Sequence, residues 1–105
     1  MIIRFWRGWT RPADADAYQA FLARELDAGF LSRLGDGFLG MEVLRRDLGD
    51  EVEFATVMRF ADRAAVRAFA GDDAEAAVVP AEARALLVRF DARSAHFEQV
   101  DERTP

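Results

Sequence analysis

The spacing of hydrophobic residues changes period along this chain, and the order of those changes leaves few folds open. Residues 2–9, IIRFWRGW, are β-branched and aromatic with imperfect alternation, and they predict a first strand that ends at Thr10 before the helix-entry pair Arg11-Pro12. Over 13–28 the repeat lengthens. Tyr18, Phe21, Leu22, Leu26, Gly29 and Phe30 recur at helical spacing, with Asp14, Asp16, Arg24 and Asp27 on the other side. The glycines of LGDGFLG end that helix and admit a second strand over 38–46, FLGMEVLRR. DLGDE reads as a hairpin connection, because Gly49 can take the positive φ of a tight turn. The third strand, EVEFATVMRF at 51–60, places Val52, Phe54, Thr56, Met58 and Phe60 on one face and Glu53, Ala55, Val57 and Arg59 on the other. Asp62 is the expected N-cap of a second helix bearing Val66 and Phe69, with Gly71 as its stop. GDDAEAAVVP is expected to restart helically from Asp72 and Glu75, with Pro80 interrupting the run before AEARALL. The last strand is expected over 86–100, bent near Ala92 to Ser94.

Strand, helix, strand, strand, helix, strand is the split βαβ order of ferredoxin-like α+β folds, and it predicts an antiparallel sheet of order 4-1-3-2. Both helices then cover one face of the sheet. The strands are apolar on both sides, so the uncovered face needs a partner, and a second copy of the same sheet is the economical one. A homodimer is therefore expected. A length of 105 residues suits one domain spanning 1–105 with one core, which 51% hydrophobic residues, nine Phe and two Trp are enough to fill.

The 14 basic residues are all Arg, and with 19 acidic residues they give a net charge of −5. The signs alternate along the chain with no basic block, which argues against nucleic acid. Lys and Asn are absent and Ala is abundant, a pattern of GC-rich coding, so the number of arginines is not itself a sign of anion binding. Without Cys there is no disulfide framework, no thiolate nucleophile and no sulfur-ligated metal. With a single His, a transition-metal site would have to rest on scattered carboxylates, and no metal is expected. Arg4 and Arg7 break the apolar start too early for a signal peptide or a membrane span, so a cytoplasmic location is expected.

Several side chains qualify for chemistry. His96, the lone imidazole, would be a general base poised near neutral pH; its position late in the last strand, past the bend, also suits the rim of a dimer. Arg4 and Arg59 are cations in central, otherwise apolar strands. Each could stabilise an enolate or carboxylate, or be neutralised by Glu42 or Glu53. Trp6, Trp9, Tyr18 and Phe69 could line an aromatic cleft or simply pack the core. Asp72-Asp73 reads as helix capping, and LGDGFLG lacks the context of a phosphate loop.

Taken together, MIIRFWRGWT, FADRAAVRAFAGDD and AHFEQV resemble the antibiotic biosynthesis monooxygenase-like group of the dimeric α+β barrel superfamily. The resemblance is one of pattern over nearly the whole chain. It implies two ferredoxin-like protomers whose sheets form a barrel, with a ligand cleft in each between sheet and helices. It further implies cofactor-independent oxidation of an aromatic or polyketide-like small molecule, for which His96 would be the base and Arg4 or Arg59 the anion stabiliser. The alternative is a non-enzymatic binding or interaction module of the same fold. Heme-degrading members use an Asn in the first strand and a Trp and a His around the second helix. This chain has no Asn, Phe69 stands in the second helix, and DDAEAAVV contains no His, so heme is not expected.

Overall fold

Residues 1–30 and 34–105 are described by a computed structural model, and their sheet is built around β1, Ile2–Thr10. β1 pairs antiparallel with β3, Val52–Phe60, which in turn pairs with β2, Phe38–Asp47. On its other edge β1 pairs with two short strands, β4, Leu87–Phe90, at its C-terminal end and β5, Ala95–Glu98, at its N-terminal end. The sheet order is thus 4-1-3-2 with the last strand divided in two. The hairpin between β2 and β3 turns at Gly49, φ 91°, where the Asp47 carboxylate accepts a hydrogen bond from the Gly49 amide at 2.7 Å.

α1, Ala15–Glu25, follows a short turn of 3-10 helix, Pro12–Asp14, and runs into a wide last turn, Leu26–Phe30, that closes at Gly29 with φ 84°. The side chain of Phe30, the last apolar position of the periodic stretch, lies outside the described set. α2, Arg63–Ala70, begins where the Asp62 carboxylate accepts from the Ala65 amide at 2.9 Å and stops at Gly71 with φ 89°. Both ends follow from cap chemistry: the acceptor satisfies an orphan N–H, and glycine tolerates positive φ. No helix among the described residues is long and apolar enough to cross a membrane.

One expected element is absent. The segment 72–80 does not restart as a helix; α3 begins only after Pro80, as Ala81–Leu86. Its polar groups are claimed elsewhere. The last strand leaves β1 after Phe90, and there Ala77 donates to the Ala92 carbonyl at 3.0 Å while Ser94 donates to the Glu75 carbonyl at 2.6 Å. Arg93 clasps both carboxylate oxygens of Asp73, at 3.0 and 2.9 Å. The break in the last strand thus binds 73–77 as a flap that turns at Ala74 and Glu75, where the Ala76 amide donates to the Asp73 carbonyl.

On the helix-covered side the sheet carries two separate apolar groups. Tyr18, Phe21, Val52, Phe54 and Ala83 pack together at one end, and Ile2, Met58, Phe60 and Val66 at the other. Phe54 and Phe60 are fully buried, each contributing roughly 1.5–3 kcal/mol. Between the groups the inward row of β1 reads Arg4, Trp6, Gly8, opposite Met58, Thr56 and Phe54 of β3. Gly8 makes room for the indole: a Cβ there would lie 2.8 Å from Cη2 of Trp6. Gly8→Ala should therefore lower stability by about 1–3 kcal/mol, the range for overpacking against a rigid ring, measurable by thermal unfolding. An unchanged midpoint would show that the Trp6 wall is loose.

Candidate functional site

Where the two apolar groups part, a cavity of ≈ 130 Å³ opens between the sheet and α1, α2 and α3. Its floor is Arg4 and Trp6 of β1 with Thr56 and Met58 of β3; Tyr18, Phe21 and Leu22 of α1 face them, and Phe69 and Ser94 border the Arg4 end. Most of this surface is apolar. The Trp6 indole N–H is already given to the Asp91 carbonyl at 2.7 Å, so the ring presents only carbon to the cavity.

Arg4 is the exception. Its residue is 3% exposed, and it lies in register with Met58 on one side and His96 on the other. Nη1 donates to the Ala74 carbonyl at 2.6 Å and meets His96 Nε2 at 2.8 Å; Nη2 donates to the Ala76 carbonyl at 2.9 Å. Its guanidinium carbon sits 5.3 Å from the centre of the Phe69 ring. Among the described residues no carboxylate pairs with it. Burial accordingly pulls its pKa below the ordinary arginine value. Of the two acids weighed from the sequence, Glu53 accepts from Arg46 and from the Trp9 indole, and Glu42 accepts from Arg59 at 2.6 Å. The cation in the cavity wall is held by neutral acceptors alone.

The expected site residues therefore divide. Arg4, Trp6, Tyr18 and Phe69 line one cavity. Trp9 and Arg59 do not reach it, because odd-numbered positions of β1 and β3 point to the opposite face of the sheet; Arg59 there forms the ion pair with Glu42, and Trp9 is flanked by the guanidinium groups of Arg7 and Arg89. His96 does not line the cavity. Its register with Arg4 puts it half-buried on the helix-covered face. Arginine has no lone pair to offer, so Nε2 must accept and the proton resides on Nδ1. The lone pair a general base would use is committed to Arg4.

Burial lowers the His96 pKa first, the Arg4 charge lowers it further, and Arg63 adds to this against the opposing pull of Glu75. The unfolded chain then binds a proton near pH ~6.5 that the folded chain resists, so stability is constant above that pH and falls as pH drops through it towards the folded value. Thermal midpoints between pH 7.5 and 5 should fall more steeply for the wild type than for His96→Gln. Parallel curves would contradict this assignment.

Thr56, Ser94 and Glu25 join the lining without having been singled out from sequence. Thr56 was visible as the one polar member of the inward row Val52, Phe54, Thr56, Met58, Phe60. Ser94 gave no signal, because it reaches the cavity only through the break between β4 and β5. Glu25 is exposed near the end of α1 and so stands at the opening. The Tyr18 hydroxyl is kept protonated, its pKa pushed up to about 12 by burial.

No protein-family model matches the chain, and no curated protein is similar to it in sequence. Solved structures are similar over nearly its full length. A candidate antibiotic biosynthesis monooxygenase from Bacillus cereus superposes with a TM-score of 0.67 at 13% identity, covering 99% of this chain and 97% of its own. SnoaB, a cofactor-independent oxygenase from Streptomyces nogalater, superposes at 0.61 with 23% identity, covering 96% and 95%. The chain has the antibiotic biosynthesis monooxygenase fold. A third protein of this fold, the heme-degrader MhuD from Mycobacterium tuberculosis, whose structure holds two hemes in its active site, superposes at 0.56 with 19% identity, covering 99% and 100%. At such identities the antibiotic biosynthesis monooxygenase fold is what is shared, and chemistry must be argued from this chain's own cavity.

Proposed function

We propose that this cavity is the site of a cofactor-independent oxygenase acting on a small aromatic molecule that reacts as its anion. The observation that carries the reading is Arg4, a buried cation that pairs with no carboxylate among the described residues, in the wall of a mostly apolar cavity. A desolvated cation of this kind stabilises negative charge far more than one in water, and it would lower the pKa of a bound phenol or enol. The anion, once formed, would add dioxygen at a ring carbon, and loss of water from the resulting peroxide would leave a quinone, with one oxygen atom in the product, the other in water, and all the electrons supplied by the substrate. SnoaB carries out cofactor-independent oxygenation on the same fold, which supports the class of reaction.

His96 is not retained as the base, since its Nε2 is occupied by Arg4. With the substrate's acidity raised by Arg4, its proton would pass to the Glu25 carboxylate at the opening or to water there. The test is oxygen uptake by the purified protein with one-ring phenols, in the presence of a metal chelator. Uptake that saturates with substrate is expected. Saturable binding with no uptake would overturn the oxygenase and favour the alternative, a binding module.

Heme does not suit these residues. A cavity of ≈ 130 Å³ is the size of one that accepts benzene, and the one imidazole lies outside it with Nε2 engaged. Titration with hemin should give no sharpened Soret band; a band saturating at one heme per chain would overturn this reading.

Two copies of the chain, in this proposal, join through the uncovered sheet face. Ile3, Phe5, Val57, Leu44 and Phe97 form an apolar stripe there, with Leu44 48% and Phe97 56% exposed. The Arg59–Glu42 and Arg46–Glu53 pairs border it. Self-association of this face would bury the stripe and close a barrel.

A further inference from the structure

We propose that the ligand is a one-ring aromatic carboxylate, its two oxygens taken by the unused N–H groups of Arg4 and by the hydroxyls of Tyr18, Thr56 and Ser94. The proposal rests on the cavity being the functional site and adds the class of molecule it takes: the carboxylate is the group Arg4 grips, and the phenol or enol that its charge acidifies is carried on the same ring.

A guanidinium has five N–H donors. Three contacts, to Ala74, His96 and Ala76, use three of them, which leaves 5 − 3 = 2. Both protons of Nη1 are engaged and one of Nη2, so the free pair is one N–H on Nη2 and the one on Nε. Two donors on one planar group match the two oxygens of a carboxylate and give the short, charge-assisted bidentate contact for which arginine is suited. A phenolate has one oxygen for them, and an amide places a donor against a donor. The carbonyls of Ala74 and Ala76 and the Phe69 ring fix the plane of the fork before any ligand arrives.

The hydroxyls supply the second observation. Tyr18 is 2% exposed, Ser94 3% and Thr56 9%, all three line the cavity, and none of their hydroxyls has a hydrogen-bond partner among the described residues. Buried hydroxyls are nearly always paired. The unpaired polar side-chain atom that is sealed from all space is a different one, Thr10 Oγ1. The other three therefore open onto the cavity. A cation with two spare donors and three donor hydroxyls in the wall of one cavity suit an acceptor-only group. The rest of the wall, Trp6, Phe21, Met41, Met58 and Phe69, offers a flat apolar slot, and ≈ 130 Å³ holds one ring rather than several.

The test is calorimetric titration of the wild-type protein at pH 7.5 with benzoate, benzamide and acetate. Benzoate is expected to bind one per chain, about 100-fold more tightly than either of the others, since benzamide lacks the charge and acetate the ring. Arg4→Gln should abolish that preference. Because Arg4 also holds the flap, Tyr18→Phe and Ser94→Ala serve as milder variants, each expected to weaken benzoate about 5–10-fold; unchanged benzoate affinity in both would overturn the part given to the hydroxyls. Equal affinity for benzoate and benzamide would overturn the carboxylate and leave the cavity reading standing. Acetate binding as tightly as benzoate would overturn the aromatic part. Binding of none of the three would overturn both this proposal and the cavity reading.

Discussion

Val57→Glu should turn the proposed dimer into a folded monomer. Val57 lies at the centre of the uncovered sheet face, paired with Phe5 on β1 and Glu42 on β2, and it is only half-buried within one chain. A carboxylate there can stay hydrated in the monomer, so the protomer should keep its fold. In a sheet-on-sheet dimer the same carboxylate would be buried next to Glu42, whose partner Arg59 cannot neutralise both, and close to its own symmetry mate. A buried charge left short of compensation costs about 3–5 kcal/mol, which weakens association on the order of 10²–10⁴-fold. Sedimentation velocity at micromolar concentration reads this directly. If the variant sediments like the wild type, the partner does not cover this face; a wild type that is itself monomeric removes the barrel.

The second large effect concerns the flap. Arg4→Met conserves length and apolar bulk but leaves the carbonyls of Ala74 and Ala76 and Nε2 of His96 without their donor. Each buried acceptor so stranded costs roughly 1–3 kcal/mol, less where cavity water can reach it, and removal of a desolvated charge gives part of that back. A net loss of about 2–3 kcal/mol is expected, or roughly 10–20 °C in the unfolding midpoint for a chain of this size. His96→Ala should cost less, about 1 kcal/mol. Because the two side chains share one contact, the double variant should be scarcely worse than Arg4→Met alone. Strict additivity would show that the Arg4–His96 contact carries no energy.

The fold was legible because its signals are periodic and local. Alternation in EVEFATVMRF assigned the inward row of β3 correctly, Asp62 and Gly71 marked α2, and the strand order followed from the sequence of elements. Segment 72–80 was not legible. Capping-box spacing at Asp72 and Glu75 is a local preference, and it lost to contacts made with residues far along the chain: Arg93 on Asp73, and Arg4 on the carbonyls of Ala74 and Ala76. Propensity yields to tertiary hydrogen bonds wherever a segment has a better set of partners available.

The same distinction divides the site. Alternation along β1 could have separated Trp6 from Trp9, because an offset of three residues in a strand reverses the face. The role of Arg4 needed the structure, since whether a buried arginine is neutralised depends on which acids other strands bring to it. Glu42 and Glu53 were reasonable candidates, but both belong to the opposite face. For His96 the sequence offers a general base or a dimer-rim residue, because its cross-strand neighbour depends on how the last strand divides, and only the pairing of β5 with the start of β1 sets it against Arg4.

The account turns on Arg4 being the group that receives a ligand's negative charge. Nitrogen-edited NMR of the arginine side chains in the wild-type protein, titrated with benzoate, observes that group itself. The Arg4 Nε–H resonance is expected to move downfield and to exchange more slowly with water, saturating at one benzoate per chain, while the resonances of exposed arginines such as Arg24 and Arg103 stay in place. An Arg4 signal that stays fixed while benzoate perturbs exposed arginines, or perturbs none, would contradict it.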